Sequence, residues 1–225
     1  MAVKATEMIE LKPIKIKKFQ VKVIGDTPLI VHAWDEKAKR MMLEAQQGKK
    51  KGTKKEYKNP VADFINSMYW IEGKPELKSE WKEEECEKAF IDAINNGARF
   101  GFRADAFKKA SVNAAYRGGY SKDKVSINGA FFVNPDFGDL VEITSDVPVM
   151  REDMVRIGMG TADIRYRAEF RNWSALLTIT WNENGSYSIE RIIEFLNQGG
   201  FSCGVGEWRP EKSGQYGMYH VELTK

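Results

Sequence analysis

Cysteine and histidine are nearly missing from this chain, with two of each in 225 residues. Cys86 and Cys203 stand far apart, in segments that read as a helix and a loop. Two are too few for a disulfide framework or a zinc site, and they suit a reducing cytoplasm. His32 is the one histidine outside the final strand, where His220 alternates with Tyr219 and Val221 and is expected to face solvent. There is no histidine–carboxylate spacing, no metal-ligand cluster, no Walker lysine motif and no nucleophile-elbow serine. The sequence therefore reads as a non-enzyme with no cofactor and no metal. Long apolar runs are missing too: no window approaches the ~18 apolar residues of a membrane-spanning helix. Met1 to Ile16 sets lysines between single apolar residues, unlike a signal peptide. A cytoplasmic protein without a membrane partner is expected. A dominant charge sign is also lacking, since 35 Lys and Arg oppose 32 Asp and Glu for a net +3. Any polyanionic partner must then be met by local clusters of charge.

What is present is enough apolar matter for a core. A composition of 42% hydrophobic and 12% aromatic residues can close one domain over residues 1–225, with insertions and without disulfides. Phe19, Val21 and Val23 alternate with polar residues up to the break at Gly25-Asp26-Thr27-Pro28, which predicts a strand ending in a turn. Residues 26–97 read as a helical insertion. Asp35 caps a helix carrying Ala38, Met41, Met42 and Ala45; Asn59-Pro60 opens one carrying Val61, Phe64, Ile65 and Met68; Ser79 caps one carrying Cys86, Ala89, Phe90 and Ala93. Ala104 to Arg117 predicts a further helix with Phe107, Ala110, Ser111 and Ala114 inward.

Beyond it, Ile127 to Val133, Leu140 to Thr144, and Trp173 to Trp181 read as strands. Ser188 caps a helix with Ile189, Ile192, Ile193 and Leu196 inward, Gly199-Gly200 ends it, and Tyr219, Val221 and Leu223 mark the last strand. Without the insertion the order is strand, helix, strand, strand, helix, strand. That is the split βαβ arrangement of an α+β, ferredoxin-like fold, which leaves one sheet face or its edges to partners.

Three segments could carry chemistry. Gly199 to Gly217 holds six glycines, of which Gly204, Gly206, Gly214 and Gly217 accompany Trp208, Arg209, Lys212 and Tyr216. Glycine amides can face phosphates, and the cations and rings suit phosphates and unstacked bases. A glycine-rich hairpin with no ligand is the plainer alternative. The arm Val147 to Arg171 carries Arg151, Arg156, Arg165, Arg167 and Arg171 among Met154, Met159 and Tyr166. Arg165 and Arg167 would share one face of a strand. Asp146, Glu152, Asp153, Asp163 and Glu169 lie among them, so a salt-bridged structural arm is the competing reading. The third segment, Lys49 to Lys58, has lysine at six of ten positions, Lys50, Lys51, Lys54 and Lys55 among them. It reads as a basic loop, either a solvated face or a polyanion contact.

Phe100 to Arg117, FGFRADAFKKASVNAAYR, resembles the strand-to-helix segment of RAMP proteins, the RNA-binding backbones of CRISPR effector complexes. GVGEWRPEKSGQYGMYHV is similar to their glycine-rich loop before the final strand. This chain departs from the pattern in two ways: Arg103 and Ala104 stand near the usual proline, and Gly214-Gln215-Tyr216-Gly217 is one residue longer than Gly-Tyr-Gly. The resemblance implies a RAMP-like core whose subunits stack along one strand, gripped by an arm between the middle strands. It adds Arg103, Lys109, Asn113 and Arg117 to the candidate contacts. The chain as a whole also looks like small bacteriophage and prophage proteins, which implies the host cytoplasm and a role in replication, recombination or interplay with defence.

The leading expectation is a non-catalytic binder of single-stranded DNA or RNA that forms a homo-oligomer along the strand. Two alternatives stand beside it. One is a metal-independent RAMP-like endoribonuclease with His32 as its weak catalytic candidate. The other is a phage protein-interaction or structural module presenting Trp34, Trp70 and Trp208.

Overall fold

Period-two alternation builds the main sheet. The computed structural model describes residues 13–34, 36–48, 58–157 and 160–223. Within them β1 (Ile16–Gly25) pairs antiparallel with β9 (Ser174–Asn182) and β10 (Tyr219–Leu223), and β9 also pairs with β5 (Phe131–Asn134). The sheet order is β10-β1-β9-β5. Register sets Val21 opposite Leu177, Val23 opposite Ala175 and Val133 opposite Ile179, so one face is apolar. The other face carries Gln20, Lys22, Leu176 and Phe132, all exposed.

Two helices cover the apolar face. α4 (Ala104–Arg117) buries Phe107, Ala110, Ser111 and Ala114, the expected stripe. α6 (Ile189–Gln198) is capped by Ser188, whose hydroxyl accepts from the Arg191 amide, and buries Ile192, Phe195 and Leu196. Burying each such large apolar side chain stabilises the fold by roughly 1.5–3 kcal/mol. Trp173, 1% exposed, fills the sheet's end and donates its indole N–H to the Thr27 carbonyl at 2.8 Å. The chain order β1, α4, β5, β9, α6, β10 thus gives an antiparallel sheet whose strands lie fourth, first, third, second.

The segment 26–97 differs from its helical reading, because it also contributes strands. β2 (Leu29–Val31) and β3 (Tyr69–Glu72) accompany α1 (Glu36–Gln46), α2 (Pro60–Asn66) and α3 (Glu83–Asn95). β3 joins β4 (Arg99–Arg103) and β6 (Leu140–Ile143) in a separate three-stranded sheet, so of Leu140 to Thr144 only Thr144 touches the main one, through a bridge to Ser174. Asn59 caps α2 as expected by accepting from the Ala62 amide. α3 starts later than Ser79 implies: the Glu85 carboxylate accepts from the Lys82 amide, while the Ser79 hydroxyl donates to Glu80. On α1, Met42 is 54% exposed and not inward.

Two further corrections concern local type. Lys124–Ala130 is a helix, α5, begun by the Asp123 carboxylate accepting from the Val125 amide, so the strand read from Ile127 starts at Phe131. Gly199 to Gly217 is not a hairpin: a π-helical turn (Gly199–Cys203) continues α6, and a 3-10 turn (Pro210–Lys212) follows.

The arm is a true hairpin, β7 (Val149–Ile157) with β8 (Thr161–Phe170), inserted between β6 and β9. Its base is anchored twice. β2 pairs with Phe170 to Ala168, and the buried Ser67 hydroxyl accepts from the Ala168 amide at 2.9 Å. Among the described residues no helix is long and apolar enough to cross a membrane.

Candidate nucleic-acid interface

Backbone hydrogen bonds fix the glycine-rich loop onto β2. The Gly217 amide donates to the Pro28 carbonyl and the Glu207 amide to the Ile30 carbonyl, both at 2.8 Å. Since β2 is also bonded to β8, the loop and the hairpin base meet along one seam. Side chains complete it: the Arg151 guanidinium lies 4.6 Å over the Tyr216 ring, and Arg167 reaches Glu207 at 3.5 Å.

The seam's arginines are paired with acids, the salt-bridged arrangement that competed with strand tracking. Arg167 is 3% exposed and pairs with Asp153 at 3.2 Å. Arg151 pairs with Asp153 at 2.8 Å and Glu169 at 3.1 Å, and Arg171 with Glu169 at 2.8 Å. Arg165 shares the face of Arg167, as the alternation requires, and lies 3.8 Å from Asp163. Asp153 and Glu169 are themselves 6% and 7% exposed. The Arg167–Asp153 pair is buried on both sides, so removing one partner strands the other. Tyr166 points to the opposite face, half-buried, with Lys58 Nζ 5.8 Å from its ring centre.

A second acid organises the other side of the loop. Glu211 accepts from Asn113 at 2.9 Å, from Arg209 at 3.0 Å and pairs with Arg117 at 3.2 Å. Burial pushes its pKa up, but the hydrogen bonds and charge of Arg209, with Arg117 and Asn113, outweigh that and hold the carboxyl below its ordinary value. Arg209 also donates to the Gly206 carbonyl at 2.9 Å. Arg103 and Lys109 converge on Asp105, at 2.9 and 2.7 Å. So Arg103, Lys109, Asn113, Arg117 and Arg209 serve internal contacts.

The glycines are likewise used inward. A Cβ on Gly206 would sit 2.4 Å from the Ile30 carbonyl oxygen, on Gly214 1.6 Å from that of Trp208, and on Gly217 1.8 Å from that of Val205. At Gly204 it would meet Pro210 at 2.8 Å. Their lack of a side chain lets the loop fold on itself. The Gly204 and Gly214 amides donate to the Gly199 and Arg209 carbonyls.

Some candidates keep free functional groups. Trp208 has φ +52° and is 39% exposed. Lys212 is exposed, and its side chain has no acidic partner among the described residues. Arg156 is exposed near the hairpin end, also without an acidic partner there. Lys50, Lys51, Lys54 and Lys55 lie outside the described residues, as does Met159. His32 is exposed just after β2, and among the described residues no group of three or more His, Cys, Asp and Glu is placed to hold a metal.

The sequence reading missed Glu207 and Glu211 as organising groups. Their signal was the spacing in Glu207-Trp208-Arg209-Pro210-Glu211, acids set two residues to either side of one arginine. Comparison with protein-family models and with curated proteins finds no match.

Proposed function

We propose that this protein is a non-catalytic, RAMP-like binder of single-stranded DNA or RNA in the cytoplasm, with little sequence readout and with copies set side by side along the strand. The main sheet, with strands lying fourth, first, third, second and two helices on one face, supports a ferredoxin-like core. The hairpin inserted between its second and third strands supports the gripping arm.

One observation carries the reading. Strands of nine and ten residues extend the hairpin past its anchored base, and their outer part exposes apolar side chains: Met154 is 69% and Ile164 43% exposed. Met154 stands directly opposite Ile164, and Arg156, two residues on, shares their face. Exposed apolar side chains beside an exposed cation suit insertion between bases with a phosphate contact alongside. The salt-bridged seam below them is then the arm's rigid mount, and the ligand is met at the outer part.

The test is an electrophoretic shift with single strands of increasing length, repeated across a salt series. Bound protein should rise with strand length and log affinity should fall linearly with log salt. Protein that stays free of every strand at low salt would end this reading.

A further inference from the structure

The geometry points to a site for one unstacked nucleobase in the cleft between the end of β2 and β3, lined by Trp34, Asn66, Tyr69, Trp70 and Lys74; it rests on the single-strand reading above. The cleft holds about 210 Å³. That is below the ~300–1,000 Å³ of sites for drug-sized ligands and suits a single flat ring system.

The lining divides into the parts that base recognition needs. Trp34 is 62% exposed, so its ring face is open to a ligand at the mouth of the cleft. Trp70 is held from behind: its indole N–H donates to the Ile65 carbonyl at 2.8 Å, and its ring packs 4.7 Å from Phe100. Trp70 is therefore a fixed wall, and Trp34 is the ring free to stack. Asn66 brings an amide that has no hydrogen-bond partner among the described residues, and it can both donate to and accept from a base edge.

Lys74 supplies a cation, and its charge is uncommitted. It is exposed with no acidic partner among the described residues, whereas the arginines of the seam are paired with Asp153, Glu169 and Glu207. The position fits the strand's path. Ala33, also in the lining, donates its amide to the Ser67 carbonyl at 2.7 Å, and the Ser67 hydroxyl accepts from β8 of the hairpin. A base lodged here would lie beside the mount of the arm that grips the strand.

The experiment compares wild type with Trp34→Ala, Trp34→Phe and Lys74→Glu, using a homopolymer single strand and a strand of the same length with abasic sites throughout. Circular dichroism and the thermal midpoint confirm folding, which the exposure of Trp34 protects. Trp34→Ala should weaken the homopolymer by roughly 5- to 150-fold, the cost of one lost base stack, leave the abasic strand unchanged, and be largely rescued by Phe. Lys74→Glu should weaken both strands. If wild type binds and Trp34→Ala binds the homopolymer equally well, the base site is wrong while the single-strand reading stands. A loss of equal size on the abasic strand also overturns the base site. If wild type binds neither strand, both fall.

Discussion

Arg151 and Arg167 stand directly across the hairpin from one another, two cations in register on β7 and β8. Like charges so placed repel. Asp153 lies between them, accepting from Arg151 at 2.8 Å and from Arg167 at 3.2 Å, while Glu169 takes the other side of Arg151. The Tyr216 ring under Arg151 and Glu207 beside Arg167 then tie this ladder to the glycine-rich loop.

Breaking the ladder from one side should be costly. Arg167→Met leaves Asp153 buried with one partner fewer, and a loss of about 3–5 kcal/mol is expected from urea unfolding. Arg167→Met combined with Asp153→Leu should recover a large part of it, because the stranded charge is gone. A single variant as stable as wild type would show that the pair is not desolvated.

Two glycines separate backbone strain from collision. Gly119 has φ +74° with nothing near its missing side chain, so Gly119→Ala should cost roughly 1–2 kcal/mol from the left-handed conformation alone. Gly217 has φ +65°, and its Cβ would meet the Val205 carbonyl oxygen at 1.8 Å, so Gly217→Ala should lower the thermal midpoint by clearly more.

Asp105 gives the fold an acid limit. Hydrogen bonds from Arg103, with Lys109 adding to them, hold its carboxyl down to about 2. Unfolded, it protonates near ~3.9, so its stabilisation is complete above that value and is lost as the pH falls toward 2. Asp105→Asn should flatten the acid unfolding profile only between about pH 4 and 2. The difference will be small, since the side chain is 38% exposed and the pair is screened by water.

Both thiols should be silent in the native state. Cys86 and Cys203 are each 1% exposed, and burial pushes both pKa values up, which lowers the reactive thiolate fraction. A chromogenic disulfide reagent should label neither promptly in buffer and both in denaturant. Fast native labelling at Cys203 would mean that the turn after α6 opens readily.

The outer part of the hairpin can be probed by charge. Arg156→Ala should shorten the slope of log affinity against log salt by about 0.7–0.9, one phosphate contact, while Arg165→Ala near Asp163 should move it less. Met154→Asp should weaken strand binding at every salt concentration without lowering stability, given its 69% exposure. Equal slopes for all three variants would remove the hairpin from the interface.

Much of the fold was legible because its signals are local. Phe19 to Val23 and Trp173 to Trp181 alternate with period two, and Ala104 to Arg117 and Ile189 to Gln198 repeat at helical spacing, so each announces its own buried face. α5 was hidden because Val125 and Ile127 favour strands while the deciding contact is one carboxylate, Asp123, on the Val125 amide. β3 was hidden because four residues, Tyr69 to Glu72, carry no period of their own and take their conformation from β4. Of the candidate site, the positions of loop and arm along the chain were readable, and so was the presence of acids among the arginines.

Pattern alone settled which stretches are strand or helix in the core and which faces they bury, since burial follows a repeat of two or 3.6 residues wherever it occurs. It could not settle which cations stay available to a ligand. That was decided when β7 and β8 paired in one register and the loop docked on β2, placing Asp153, Glu169, Glu207 and Glu211 within reach of arginines up to 94 positions away along the chain, as in Arg117 with Glu211. A charge's fate depends on distance in space, since Coulomb attraction weakens with separation and strengthens where water is excluded, and neighbourhood in the chain carries no measure of that distance.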